Sequence, residues 1–522
     1  MTDQIRAYIY AVLSAVCFGI GWWFPSTTLC TIFGWAAPFF FILLLSHNDS
    51  HNGKSAIYLP AYCSGILANL IGFYWLVGTI RDFGQYPTLA AVSIFLLYAL
   101  TAAFQYLIVI FIYKNTPSIL DKLALRGTLA WVVTEFISIR IFPWYLGHMQ
   151  LAFKPLAQVA ELGGAILISF IVFWCCEAAV KTSYKRSYTL LLPPLTLIAA
   201  CIYGESRIAK FSEYNTPQQE VAVIQANITV EEKHNIRAFA ENTNIYVDLT
   251  KQATEEKGKG NILVIWPETV IMNFIYNHLD NAKKDIRLPY YEDGNAMLTG
   301  SLTFDRTPNG TVQRFNSALA IYPDGTIPLP YNKRILMPFG EYIPFLKTFP
   351  QLAQFNPMAA NAFDAGTTPK VFNYPMVDNN GDPYSLKVTP LICYEEILPS
   401  LSRESVLAGA ELLVTLSNDA WFGKTLAPFQ HHLIASFRAI ENRRYQIRST
   451  NSGLTAVINP LGETIEKLPI FSNGIIRTTI TPLTEITVYT KLGDTPYLIL
   501  TLLLLSTVVC SLFRKLRSHL VR

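Results

Sequence analysis

Residues 7–48 carry no charged side chain and break once, at Phe24-Pro25-Ser26-Thr27, into two apolar segments. Each is long enough to cross about 30 Å of hydrocarbon at about 1.5 Å per residue. Further uncharged stretches at 55–80, 83–113, 187–204 and 495–513 predict four more spans. The segments 127–142 and 162–180 add two weaker ones, interrupted by Glu135 and Glu177. The pattern therefore predicts about eight membrane helices. The first run lacks a small-residue cleavage site and is followed at once by more spans, so it is expected to be retained.

Between residues 205 and 490 the period shortens. Apolar, β-branched runs at Val221–Ile228, Ile262–Trp266, Ala296–Leu302, Ser317–Tyr322, Leu386–Cys393, Leu412–Leu416 and Leu454–Ile458 predict buried strands. Helix-like segments at 230–256, 397–409 and 428–443 lie among them, and this alternation predicts an α/β domain with its reactive groups at strand ends. The expected division is a membrane domain of seven helices at 1–204, an α/β domain at 205–490, and a final span with a basic tail at 491–522.

Composition sharpens this division. The chain is 51% hydrophobic with a mean hydropathy of +0.29, which excludes disorder. Residues 205–490 hold 54 of the 78 Lys, Arg, Asp and Glu side chains, 25 basic and 29 acidic. That balance removes the electrostatic argument for nucleic-acid binding. Lys and Arg in the short segments between spans set the orientation. With the N-terminus cytoplasmic, twelve fall inside and three (Arg81, Arg140 and Lys154) outside. Seven spans then place the 205–490 domain on the non-cytoplasmic side.

Seven of the eight cysteines fall within apolar runs, and Cys393 alone belongs to the α/β domain. With no disulfide partner there, it is either a small core residue or a reactive nucleophile. Three strand ends carry chemistry: Trp266-Pro267-Glu268-Thr269; Tyr331-Asn332-Lys333 leading to Pro338-Phe339-Gly340-Glu341; and Ile392-Cys393-Tyr394-Glu395. A thiol of ordinary pKa near 8.5 needs a cation to stabilise its thiolate or a base to take its proton. Lys333 offers the first and Glu268 the second, and the same ammonium suits an oxyanion. Taken singly, Cys393 reads first as a small core residue, and Glu268 and Lys333 as a solvated surface pair. His431 and His432 are adjacent and point apart on a helix, so they predict no metal site. No glycine-rich phosphate loop calls for a nucleotide, and no cofactor is expected.

Taken together, Glu, Lys and Cys in this order on successive strand ends resemble the nitrilase superfamily, whose fold is an α-β-β-α sandwich. Longer strings resemble the apolipoprotein N-acyltransferases of bacterial membranes. These are Trp266-Pro267-Glu268-Thr269, Tyr331-Asn332-Lys333, Pro338-Phe339-Gly340-Glu341-Tyr342-Ile343-Pro344, Cys393-Tyr394-Glu395, Ser417-Asn418-Asp419-Ala420-Trp421-Phe422-Gly423 and Arg448–Ala456. In the membrane half, Phe142-Pro143-Trp144-Tyr145-Leu146-Gly147 with Gln150 and Lys154-Pro155-Leu156 is similar to a segment of the same family. The chain departs from the pattern at Ala427-Pro428 and at His432-Leu433-Ile434-Ala435. The tryptophan that the family often carries after its first strand has no counterpart around His234.

The resemblance implies Cys393 as nucleophile, Glu268 as general base and Lys333 as oxyanion stabiliser, with Glu341, Tyr394 and Glu395 in supporting positions. It further implies an acyl chain taken from a membrane phospholipid as a Cys thioester and passed to the N-terminal α-amine of a diacylglyceryl-cysteine apolipoprotein. The implied setting is the bacterial cytoplasmic membrane, with the catalytic domain on its outer side. Two other readings use the same residues: a membrane-tethered amidase, and a transporter or receptor with a non-catalytic external domain. Trp421 is expected to border the acyl pocket. The uncharged stretch 348–363 is broken by Pro350 and Pro357, and it is expected to present Phe349, Leu352, Phe355 and Met358 either as a lid or as an ordinary buried connection.

Overall fold

The structure is a computed structural model that describes residues 3–50, 57–84, 86–183, 187–212, 219–255, 261–288, 294–343, 345–346, 348–355, 363–377 and 381–520. The chain forms two compact units. One comprises Met1–Ile80, Tyr86–Glu213 and Thr487–Arg522, and the other Arg81–Gln85 and Tyr214–Ile486.

In the first unit, six helices among the described residues are long and apolar enough to cross a membrane: Asp3–Gly21, Thr28–Ser46, Thr88–Asn115, Ala160–Thr182, Tyr188–Phe211 and Thr495–Arg517. The pair Tyr58–Gly72 and Leu76–Asp82, bent by 61°, makes a seventh if counted as one broken span. The remaining candidate, 127–142, forms only the 12-residue helix Arg126–Ile137. At about 18 Å it falls short of the hydrocarbon thickness. Both acidic residues that interrupt the apolar pattern serve backbone donors. Glu177 accepts from the N–H groups of Gly127 (3.1 Å) and Thr128 (2.7 Å) at the start of that helix, and pairs with Lys181 at 3.1 Å. Glu135 accepts from Leu146 N–H at 2.8 Å. Orphan donors at a helix start and in an irregular segment need such acceptors where water is scarce.

The second unit is built on two sheets. The strands are β1 (Gln219–Gln225), β2 (Ile262–Ile265), β3 (Ile271–Tyr276), β4 (Ala296–Arg306), β5 (Val312–Ile321), β6 (Tyr331–Asn332), β7 (Phe372–Val377), β8 (Pro383–Ile392), β9 (Leu412–Ser417), β10 (Tyr445–Thr450), β11 (Ala456–Ile458), β12 (Thr464–Lys467) and β13 (Gly474–Ile480). The first sheet runs β13-β1-β2-β4-β5-β6, with β3 on β4; the second runs β12-β11-β10-β9-β8-β7.

Strand alternation divides the apolar side chains between two cores. Leu263 and Ile265 of β2 and Val221 and Val223 of β1 face Leu386, Val388 and Ile392 of β8 and Leu412, Val414 and Leu416 of β9, closing the layer between the sheets. Ile262 and Val264, together with Ala222 and Ile224, turn the other way and pack with Tyr246 and Ala253 of the helix Phe239–Thr254. The helices Pro399–Leu407 and Ala427–Asn442 belong to the second sheet's half of the chain, giving the expected α-β-β-α sandwich. Strands β8, β9 and β10 are mutually parallel, so their C-terminal ends, with Cys393, Asn418 and Asn451 just beyond, lie side by side.

Candidate active site

Glu268 is set by a turn that leaves β2. Trp266 is fully buried and its indole N–H donates to Thr250 Oγ1 at 2.9 Å, which anchors the strand end. The turn crosses β4 at Gly300, whose N–H donates to Pro267 O (3.1 Å) and whose carbonyl accepts from Val270 N–H (3.0 Å). A Cβ on Gly300 would stand 2.4 Å from Thr269 N and 2.5 Å from Pro267 O, so this crossing requires glycine. Thr269 takes a left-handed φ of 48°, an uncommon conformation for a β-branched residue. The carboxylate Oε1 of Glu268 accepts from Asn316 Nδ2 at 2.7 Å.

Lys333 follows β6 and is almost fully buried. Its backbone is held on both sides, by Lys333 N–H to Asn316 O and Gly366 N–H to Lys333 O, each 2.8 Å. The ammonium lies 2.7 Å from Glu341 Oε2 and 3.7 Å from Glu268 Oε1. Glu341 is itself fixed by Met337 N–H at 2.8 Å and by Asn316 Nδ2 at 3.1 Å. Asn316 therefore spends its two amide hydrogens on the two carboxylates that flank the lysine. Nothing in the sequence singles Asn316 out, because β5 carries it on a strand whose pairing only the fold reveals.

Cys393 begins a short 3-10 helix directly after β8 and has φ +51°. A non-glycine residue in that region is strained by about 1–3 kcal/mol, and such strain is characteristic of functional turns. Glu395 holds the turn in place. Its fully buried carboxylate accepts from Tyr331 O–H (2.9 Å to each oxygen) and from the N–H groups of Arg334 (2.7 Å), Ile335 (3.1 Å) and Ile392 (2.7 Å). One side chain thus ties the Lys333 segment of the first sheet to the Cys393 turn of the second. Tyr394 is buried, near enough to Tyr342 for the two phenols to influence each other.

Behind the turn lies a charged cluster that local pattern does not announce. Arg448 of β10 donates to both oxygens of Glu396 at 2.8–3.1 Å, with all of these atoms buried. Asp419 accepts from Ser417 O–H at 2.8 Å and lies 3.5 Å from Arg448. His431 sits between Glu396 (3.3 Å) and Asp419 (4.0 Å), whereas His432 is bonded to Thr464 Oγ1 at 2.7 Å. The adjacent histidines point to different partners, as expected of neighbours on a helix.

The electrostatics favour a base-assisted thiol. Burial pushes the Cys393 thiol well above its usual range, and the charge on Glu268 adds to this while Lys333 opposes it. Burial also raises the Glu268 carboxyl, with Lys333 holding it back. Burial would draw Lys333 down, but Glu341 and Glu268 keep its ammonium above the ordinary lysine range. Burial thus disfavours the thiolate and the Glu268 carboxylate alike, while the two flanking carboxylates favour the Lys333 cation. In such surroundings a thiol gains reactivity when a neighbouring base takes its proton during attack rather than before it.

The remaining sequence candidates are more dispersed. Trp421 is partly exposed in the 3-10 helix Asp419–Phe422. Phe349 is 56% exposed and precedes the six-residue 3-10 helix Pro350–Phe355, which contains Leu352 and Phe355. The side chains of Leu352 and Phe355, and Met358 as a whole, lie outside the described residues. Phe339 and Phe345 are also exposed and both have positive φ, so the stretch that follows Lys333 presents several aromatic rings to its surroundings.

Comparison with known proteins bears on the whole chain. The carbon-nitrogen hydrolase family matches residues 220–487, and the apolipoprotein N-acyltransferase N-terminal domain matches residues 14–178. The apolipoprotein N-acyltransferase of Photobacterium profundum is 30% identical over 457 residues, covering 82% of this chain and 84% of its own. That of Vibrio cholerae is 31% identical over 481 residues, covering 88% of each. Among solved structures, an amidase of the nitrilase superfamily from Nesterenkonia AN1 aligns with 54% of this chain and 97% of its own, at 17% identity and a TM-score of 0.37. With relatives of this identity and coverage spanning both units, the chain belongs to the apolipoprotein N-acyltransferase family.

Proposed function

We propose that this protein transfers an acyl chain from a membrane phospholipid, through a thioester on Cys393, to the free N-terminal amine of a diacylglyceryl-cysteine in an apolipoprotein. The observation that carries the reading is the buried Lys333 ammonium, held between Glu341 and Glu268 beside a cysteine in left-handed backbone. In the first half-reaction Sγ attacks the ester carbonyl as its proton passes to Glu268, and the charge of Lys333 stabilises the oxyanion. The lysophospholipid leaves as an alcohol, taking that proton. In the second, the amine attacks the thioester, Glu268 accepts the amine proton, and the thiolate leaves and is reprotonated. A thioester retains enough free energy to form an amide without a nucleotide.

Glu341 orients the ammonium, while Tyr394 and Glu395 shape the strand end around the thiol. The membrane helices support a multi-pass location, and the twelve-to-three bias of Lys and Arg supports the cytoplasmic membrane with residues 205–490 on its outer side. In this reading Phe349, which is exposed, together with Leu352, Phe355 and Met358 forms a lid that guides the acyl chain and excludes water from the thioester. Trp421 borders the acyl pocket.

The test is the intact mass of the purified protein after incubation with phospholipid. An acyl adduct that neutral hydroxylamine removes is expected on the natural chain and absent from Cys393→Ala. The same adduct on Cys393→Ala would refute the assignment.

A further inference from the structure

Lys233 has no part in the scheme above, yet it lies in the same site. It occupies the last turn of the short helix Val230–His234, which a capping box secures: Thr229 N–H donates to Glu232 Oε2 (2.9 Å) and Glu232 N–H to Thr229 Oγ1 (3.2 Å). Only 7% of Lys233 is exposed. Among the described residues its ammonium has one hydrogen-bond acceptor, the main-chain carbonyl of Glu268 at 2.9 Å. Lys233 also lines a pocket with Phe239, Asn242, Tyr246, Thr269 and Met272.

Burying an ammonium against a neutral carbonyl is costly unless the charge acts on something nearby. Two charged or chargeable groups lie within electrostatic reach of this lysine: the Glu268 carboxylate and the Cys393 thiol. Glu268 is also faced by Lys333 and Glu341, and Cys393 by Lys333 and Asp419.

We propose that Lys233 is a positioning residue for the base: its hydrogen bond to the Glu268 carbonyl fixes the strained Glu268-Thr269 turn and so aims the Glu268 carboxylate at Cys393, while its charge eases formation of the thiolate. The site thus has two cations in different roles, Lys333 on the carboxylate side chains and Lys233 on the backbone behind one of them. Burial draws Lys233 down to about 8, and Glu268 and Cys393 counter that fall, so its proton is retained at neutral pH and leaves in mildly alkaline solution.

The inference rests on the assignment of Glu268 and Cys393 made above, so its test avoids the lipid reaction. Alkylation of Cys393 by iodoacetamide, followed by mass analysis of the Cys393 peptide from the full-length protein in detergent, needs neither substrate. The sulfur displaces iodide and the thiol proton passes to Glu268 or solvent. Lys233→Met is expected to slow alkylation at neutral pH about ten- to a hundredfold, the scale of one charge-assisted hydrogen bond. It should also move the rate's rise to higher pH. Lys233→Arg, which keeps donor and charge, should restore the rate to within about threefold, and Lys233→Gln, which keeps a donor alone, should fall between. Thermal unfolding of each variant reports folding, and if Lys233→Met does not fold, the Gln and Arg variants carry the comparison. Equal alkylation rates and pH curves in the natural chain and the Gln or Met variants would overturn the proposal. So would an equal loss with Arg and Gln. An acyl adduct surviving in Cys393→Ala would instead refute the functional reading.

Discussion

Lys333 and Glu341 are joined at 2.7 Å, while Glu268 stands a further ångström from the same ammonium, at 3.7 Å. The lysine is therefore held mainly by Glu341, and in the proposed scheme this leaves Glu268 freer to accept the thiol proton. Asn316 reinforces the division by donating to both carboxylates.

Removing Lys333 should accordingly cost more than removing its orienting partner. Lys333→Met is expected to lower the rate of acyl-enzyme formation about 10²–10³-fold, as loss of an oxyanion donor does. Glu341→Gln keeps a hydrogen-bond acceptor for the ammonium and should lose less. Stopped single turnovers measured as lysophospholipid released distinguish the two, and equal losses would contradict the division.

The raised Glu268 carboxyl dictates the sign of the acid limb. Glu268 acts only when ionised, so activity should rise with pH through its own pKa, which lies above the ordinary glutamate value of about 4.3. Glu268→Gln should lower the rate about 10²–10⁴-fold and remove this limb. A limb in the ordinary glutamate range, or one surviving in Glu268→Gln, would exclude it as the base.

Glu395 makes a prediction about stability and activity together. Glu395→Ala strands the buried Tyr331 hydroxyl and the N–H groups of Arg334, Ile335 and Ile392, each at a cost of about 1–3 kcal/mol if unpaired. The unfolding midpoint should fall, and the residual activity should fall further than that loss explains because Lys333 and Cys393 are no longer tied together.

The lid reading separates substrate access from thiol chemistry. Replacing Leu352, Phe355 and Met358 with Ser should sharply lower activity on phospholipid vesicles, while the reaction of Cys393 with a small water-soluble thiol reagent stays unchanged or quickens. Equal loss of both would mean that the segment only supports the fold.

Orientation is tested by fusion. A reporter joined after residue 210 should be non-cytoplasmic and one after residue 522 cytoplasmic, as the Lys and Arg distribution requires. A cytoplasmic signal from the first would place the thiol in the wrong compartment for exported lipoproteins.

The apolar pattern by itself determined the membrane helices and the seven predicted strands, because a helix in lipid or a strand buried on both faces must be almost wholly apolar, and that leaves a mark in any sequence. Glu268, Lys333 and Cys393, the trio proposed to react, were also visible as residue types at strand ends. Strand β10 was not, since Gln446 and Arg448 break its apolar run, and only the buried Glu396 across the fold explains why an arginine belongs there. Asn316, Lys233 and the clamp formed by Glu395 were equally hidden. The segment 127–142, a weaker candidate interrupted by Glu135, forms a helix of only 12 residues. Hydrophobic burial acts on each segment's own composition and is legible locally. The hydrogen bonds from Asn316 to Glu268 and from Tyr331 to Glu395 join residues tens of positions apart, and such partners exist only once the strands have been placed.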